Sequence, residues 1–291
     1  MLITVRNRKD DYFMRTKELS VPVRQRRGKR KRRRARRRFL RTAALLCGVC
    51  VLAGAALHGG RLPDAAANVL QIGGGAKLKA YAGEHGLSLS DYPKELIDLY
   101  ERNPETEQFV FEYPLVKDHP PAADLSGTDT STVPLLMQWD QRWGYQQYAG
   151  DVFGLTGCGP TCLSMVAMYL TGDTSMTPGW MGQFAEDSGY ASDGNGSAWA
   201  LISEGGQQLG LDVTEIPLDE QRVIDNLEVG NPIVVIMGPG DFTTSGHFIV
   251  FTGYEDGKIK VNDPNSRKNS EKLWEFSDIQ DQIRNLWAFR S

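Results

Sequence analysis

The 291 residues are enough for one large domain, or one domain with accessories, and the 41% hydrophobic and 24% charged content is that of an ordinary globular chain. The formal net charge of −3 conceals a segregation, because residues 1–41 hold 18 of the 33 Lys and Arg but only 3 of the 36 Asp and Glu. Of the four cysteines only Cys158 and Cys162 lie beyond residue 50, which excludes a disulfide framework or a four-thiolate zinc site in the acidic remainder of the chain.

In chain order, the basic run is densest from Arg24 to Arg41 and includes Lys29-Arg30-Lys31-Arg32-Arg33-Arg34. It abuts an apolar stretch from Thr42 to Leu57 that continues through His58 and Gly59 to Gly60. Roughly 17–25 residues cross a bilayer as a helix, and positive charge holds its flank in the cytoplasm. The expectation is a basic cytoplasmic tail at 1–41, a single transmembrane anchor at 42–60, and everything after it outside the cell membrane. Three other readings stay open. The run could contact nucleic acid, which the acidic remainder argues against, so no nucleic-acid partner is expected. Ala53-Gly54-Ala55 could mark a cleaved signal peptide. The segment could also be a buried core helix. Cys47 and Cys50 form a C-x-x-C inside the apolar stretch, where a structural or lipid-facing role outweighs a redox one.

Residues 61–132 read as a stalk with short helices and a linker. Ser88-Leu89-Ser90-Asp91-Tyr92-Pro93 predicts a helix start, with Ser90 or Asp91 as cap and Pro93 in the first turn. That helix runs from Lys94 to Arg102, and a second short one follows through Phe109, Val110 and Tyr113. His119 to Thr132 has linker composition. From Val133 to the C-terminus the pattern is that of one domain. Helices are expected at Cys158–Leu170, stopped by Gly172, then at Pro178–Asp187, Ser197–Leu209, Asp219–Leu227 and Ser277–Leu286. Strands are expected at Asp212–Ile216, Pro232–Met237, His247–Tyr254 and Lys258–Asn262, with Asp256-Gly257 as the turn between the last two. Helices first and an antiparallel sheet later predict an α+β class.

Three motifs carry chemistry. Gly157-Cys158-Gly159-Pro160-Thr161 puts a thiol at a helix start, where the dipole favours a thiolate and the Cys158 backbone N–H lacks a helical acceptor. The flanking glycines read as room for a substrate backbone. Cys162, one turn on, reads as packing. His247 opens an apolar strand after the loop Thr243-Thr244-Ser245-Gly246 and is the one imidazole beyond Val133, so it is the candidate base. Asp263 ends the partner strand and is favoured as the group orienting His247. The neighbouring Asn262 competes for that role, and period-2 alternation allows one or the other. No metal or organic cofactor is called for, and nothing sets an oligomeric state.

The region from Val133 onward resembles the bacterial family-thirty-nine-like cysteine peptidases, relatives of bacteriocin-processing peptidases with a papain-like fold. The resemblance is carried by Val133-Pro134-Leu135-Leu136-Met137-Gln138-Trp139-Asp140, by Trp143, by the Cys158 block, by His247-Phe248 and by Asn262-Asp263-Pro264. It implies a papain-like domain whose helical half carries Cys158 and whose sheet carries His247 and Asp263, hydrolysing peptide bonds in a peptide or protein substrate. It also implies Gln138 as an oxyanion donor. Bacteriocin-processing members place that Gln about two turns before the Cys, where this chain has Val152. Trp139 and Trp143 are expected in the core or the cleft wall. No phosphate-binding Gly-rich Lys motif is present, so cleavage of leader peptides after a Gly-Gly pair is not implied. The rival readings are an NlpC-type cell-wall peptide hydrolase and a catalytically inert peptide-binding domain of the same fold.

Overall fold

A computed structural model describes residues 74–194 and 196–290. The basic tail, the apolar stretch at 42–60 and Cys47 and Cys50 lie outside the described residues. Among the described residues no helix is long and apolar enough to cross a membrane.

Helices lead. They are α1 (Gly74–Glu84), α2 (Lys94–Arg102), α3 (Glu107–Phe111) and α4 (Tyr113–Val116). The short pair β1 (Gln147–Tyr148) and β2 (Asp151–Val152) runs into α5 (Phe153–Thr156), α6 (Cys158–Thr171) and α7 (Pro178–Asp187). A second short pair follows, β3 (Ala191–Ser192) and β4 (Gly196–Ser197), then a π turn at Leu201–Gly205 that continues into α8 (Gly206–Gln208). The C-terminal half is a sheet of β5 (Asp212–Glu215), β6 (Ile233–Met237), β7 (His247–Glu255), β8 (Lys258–Asn262) and β9 (Ile283–Arg290). It carries α9 (Glu220–Glu228), α10 (Arg267–Ser270) and α11 (Phe276–Ile279) in its connections. The strand order is β5-β9-β6-β7-β8, and every neighbouring pair is antiparallel.

The sheet is buried on both faces. Val234, Ile236, Phe248, Val250, Trp287 and Phe289 pack on one side with Cys162, Leu163 and Val166 of α6. Their alternates Ile233, Val235, Ile249, Phe251, Leu286 and Ala288 pack on the other with α9 and α11. Two-sided burial is why Ile233-Val234-Val235-Ile236-Met237 shows no polar alternation. Helix α6 is likewise enclosed, buried from Gly159 through Met168, and it ends where Gly172 takes the left-handed conformation (φ 72°). At the β7–β8 turn both Asp256 and Gly257 have positive φ, the geometry that twists two strands into a tight hairpin.

Three sequence expectations are corrected. The helix expected at Ser277–Leu286 is only α11 and a 3₁₀ turn (Gln280–Gln282). From Ile283 the chain is β9, which lies inside the sheet between β5 and β6. The polar run Asp278–Asn285 reads as helical, but β6 has a free edge that only another strand can satisfy. The helix expected at Ser197–Leu209 begins only at Leu201, since Gly196–Ser197 pairs as β4. Finally, neither Ser90 nor Asp91 caps α2. Ser88 and Asp91 bracket a separate 3₁₀ turn, and Pro93 itself is the cap position of α2.

The segment 74–116 packs on the domain that follows it. Leu78, Leu96, Leu99, Tyr100, Phe109 and Val110 share one cluster with Met137, Trp139, Tyr145 and Val152. The rings of Phe109 and Tyr145 stack at 4.6 Å, and Tyr145 Oη donates to the Phe109 carbonyl at 2.9 Å. Leu125, within the stretch of linker composition, is buried in the α6 core.

Candidate active site

Cys158 is the first residue of α6 and is half-buried at the floor of a cleft of about 730 Å³ that His247, Asp263 and Gln138 also line. The helix starts there because Gly157 turns the chain out of α5, and Pro160 in the first turn gives up an N–H that has no helical acceptor. The flanking glycines are needed for packing rather than for substrate approach. A Cβ on Gly157 would collide with the Phe153 ring, and one on Gly159 would stand 2.5 Å from Ser197 Oγ.

Strand β7 delivers His247 to the same place. Its register opposite Met237 puts it at the mouth of the sheet, where only 7% of its surface remains exposed. His247 Nε2 donates to Asp263 Oδ1 at 2.8 Å. The imidazole and the Cys158 sulfur are close enough to shift one another's titration, and with Nε2 taken by Asp263, Nδ1 is the nitrogen left for the thiol. Val250 pairs with Asn262, so Asp263 and His247 are diagonal neighbours on one face and Asn262 points to the other. There Asn262 Nδ2 donates to the carbonyls of Val133 and Pro134, both at 3.1 Å. Of the two candidates for the orienting group, Asp263 is therefore the one that touches His247.

Asp263 is fully buried. Besides His247, the backbone N–H of Asn265 reaches Oδ1 at 2.8 Å and Asn269 Nδ2 reaches Oδ2 at 2.8 Å. Its own N–H donates to Ser270 Oγ at 2.9 Å. Asn265, Asn269 and Ser270 were not singled out in the sequence. The one local signal is Ser266, which caps α10 by accepting from the Asn269 N–H.

The electrostatics follow from this chain of contacts. Burial alone pushes the Cys158 thiol up, but the neighbouring imidazole of His247 and its charge, with the backbone groups of Phe248 and Gly159, bring it below its usual 9.0. Burial pushes His247 down, yet the Asp263 carboxylate and the Cys158 sulfur together lift it from 6.5 to about 10. The two shifts belong to one coupled pair and favour a thiolate beside an imidazolium. Cys162 is fully buried and its thiol is raised well above 9.0, chiefly by desolvation.

Gln138 is buried, its backbone N–H bonded to the Pro264 carbonyl at 2.8 Å and its Nε2 to the Gly154 carbonyl at 2.9 Å. Its Oε1 is buried without a hydrogen-bond partner. Trp143 is core, with Nε1 on the Met137 carbonyl, and so is Trp139, in the upstream cluster, with Nε1 on the Asn265 carbonyl and the Arg267 guanidinium over its ring. Among the described residues no three His, Cys, Asp or Glu side chains converge to hold a metal ion.

Comparison with known proteins gives one matching family and several similar solved structures. The family model described as Peptidase_C39 like family matches residues 130–289. The peptidase domain of Streptococcus ComA, a bifunctional ABC transporter involved in quorum sensing, is 21% identical, with 46% of this chain and 90% of that one covered and a TM-score of 0.36. A C39-like peptidase from Bacillus anthracis is 16% identical, with 55% of this chain and 96% of that one covered and a TM-score of 0.33. No curated protein matches.

Proposed function

Since this chain belongs to the Peptidase_C39 like family, we propose that it is a cysteine peptidase in which Cys158 is the nucleophile, His247 the base and then the acid, and Asp263 the residue that orients His247. The observation that supports the reading is that Asp263 holds His247 Nε2 at 2.8 Å while His247 and Cys158, at the start of α6, line the same cleft and favour each other's charged forms.

The Cys158 thiolate attacks the carbonyl carbon of the scissile peptide bond, and negative charge develops on the carbonyl oxygen. The free N–H of Cys158 in the first turn of α6, with the second N–H of Gln138 Nε2, whose first goes to the Gly154 carbonyl, stabilises that oxygen. The C–N bond breaks as imidazolium His247 passes its proton to the leaving amine. Neutral His247 then takes a proton from water, whose oxygen attacks the thioester and returns the thiolate. Asp263 holds the ring in the tautomer whose Nδ1 faces the sulfur. The apolar stretch at 42–60, next to the basic tail, supports a membrane anchor that places this domain outside the cell, with a peptide or protein as substrate.

The test is hydrolysis of casein by the purified chain. Cys158→Ala should abolish cleavage while leaving the melting temperature unchanged, because Cys158 lies at the cleft and its loss opens no core cavity. Cleavage that survives the substitution would refute the assignment. A parallel digestion of peptidoglycan separates this reading from a cell-wall hydrolase.

A further inference from the structure

The loop that holds the triad acid is itself held by residues outside the family-matching region, which begins at residue 130. Helix α2 is followed by Asn103, whose Oδ1 accepts from the Glu105 N–H, and then by a 3₁₀ turn (Pro104–Thr106). That turn lies against the stretch between β8 and the end of α10. Asn103 Nδ2 donates to the Asn265 carbonyl at 2.5 Å. The Glu105 carboxylate accepts from Ser266 Oγ at 2.9 Å, from the Arg267 N–H at 2.8 Å and from the Lys268 N–H at 3.4 Å. Two upstream side chains thus make four hydrogen bonds to four consecutive residues, one donated by Asn103 and three accepted by Glu105. The same four-residue stretch starts with Asn265, whose N–H is on Asp263 Oδ1, and leads directly to Asn269 and Ser270, which hold Asp263 Oδ2 and its backbone N–H.

We propose that Glu105 and Asn103 are positioning residues for the peptidase reaction: they fix the 265–270 loop and, through it, the direction in which Asp263 presents its carboxylate to His247. This rests on the triad reading above. The physical need is plain. Within the family-matching region the stretch is tied at Pro264 by the Gln138 N–H, at Asn265 by Trp139 Nε1 and at Asn269 by Trp274 Nε1, but the N–H groups of Arg267 and Lys268 go to Glu105. The N–H groups of the first turn of α10 have no helical acceptors of their own, and a charged acceptor makes a stronger bond to them than water does. Without Glu105 those donors turn to solvent and Asn269 loses its fixed distance to Asp263. His247 then loses the partner that sets its tautomer. The same upstream segment, through Leu99, Arg102 and Pro104, forms one wall of the cleft, so it serves the site twice.

The test uses the full-length chain. Three quantities are read for wild type, Glu105→Ala, Glu105→Gln and Leu78→Ala: the rate of iodoacetamide alkylation of Cys158, kcat and KM on casein, and the melting temperature. All assays run well below each melting temperature. Leu78 is fully buried in the upstream cluster and makes no contact with the loop, so Leu78→Ala reports destabilisation of the segment alone. Glu105→Ala should lower both kcat and the alkylation rate by about tenfold or more, the scale of a small misplacement of a catalytic group, with KM changed by less than about twofold. Glu105→Gln, which keeps one acceptor, should fall between. Leu78→Ala should keep wild-type kcat and alkylation despite its lower melting temperature. Wild-type rates in Glu105→Ala, or a loss no larger than that of Leu78→Ala, would overturn the proposal. The alkylation comparison does not depend on peptide cleavage, so a wild type that alkylates rapidly but cuts nothing would defeat the peptidase reading and still leave the clamp tested.

Discussion

At the residue scale the site is a set of pairings that decide which atom of each side chain is available. Asp263 takes His247 Nε2, so Nδ1 is left for sulfur, and the charge on each partner supports the charge on the next. The sign of the pH dependence follows. Activity that needs thiolate and imidazolium together is present between the two titrations of the pair. It is lost on the acid side as Cys158 is protonated below its usual 9.0, and on the alkaline side as His247 loses its proton near about 10. Because the Asp263 carboxylate is what raises His247, Asp263→Asn should move the alkaline limb to lower pH and reduce kcat. A pH profile of kcat/KM for both proteins checks this, and an unmoved alkaline limb would contradict the role given to the carboxylate. Asn262→Ala should behave differently. Its amide closes two backbone carbonyls of the 133–134 stretch, so it should cost about 1–3 kcal/mol of stability, the penalty for unsatisfied buried groups, and much less rate than Asp263→Ala. Urea unfolding of the variants measures the first effect and steady-state kinetics the second.

At the element scale two pieces of structure aim the machinery. Helix α6 is an enclosed rod, and its burial fixes where Cys158 stands. Strands β7 and β8 share a register in which His247 and Asp263 meet and Asn262 faces away, and a slip of one residue would exchange the two. The last strand is the less obvious support. β9 pairs with β6 on one side and β5 on the other, and Trp287 from it fills the α6 face of the sheet at 2% exposure. Trp287→Ala should cost about 3–5 kcal/mol and lower activity in proportion to unfolded protein, with KM unchanged for the folded fraction. Thermal unfolding alongside active-site titration distinguishes that outcome from a direct catalytic loss.

At the scale of the whole molecule, the described residues from 74 onward share cores that cross the start of the family match at residue 130. Leu96 is fully buried in the cluster that Met137 and Trp139 share, so Leu96→Ala should lower the stability of the entire unit by about 2–5 kcal/mol in one cooperative transition. A separate early transition for the upstream helices would show that they fold independently. Much of this organisation was legible in the sequence, because it is written in local signals. The Gly-bounded Cys158 before an apolar helical period, the Asp256-Gly257 turn and the sharp ends of β8 at Lys258 and Asn262 each depend on neighbours a few residues away. What the tertiary structure alone decided is everything set by partners distant in the chain. The polar run from Asp278 became a turn and then a central strand because β6 needed an edge partner. Asp263 rather than Asn262 reached His247 because of a register between two strands. Glu105 and Asn103 came to grip a loop some 160 residues away. Hydrogen-bond partners separated by that distance leave no periodicity in a sequence, since nothing in the chain between them has to record the contact that folding makes.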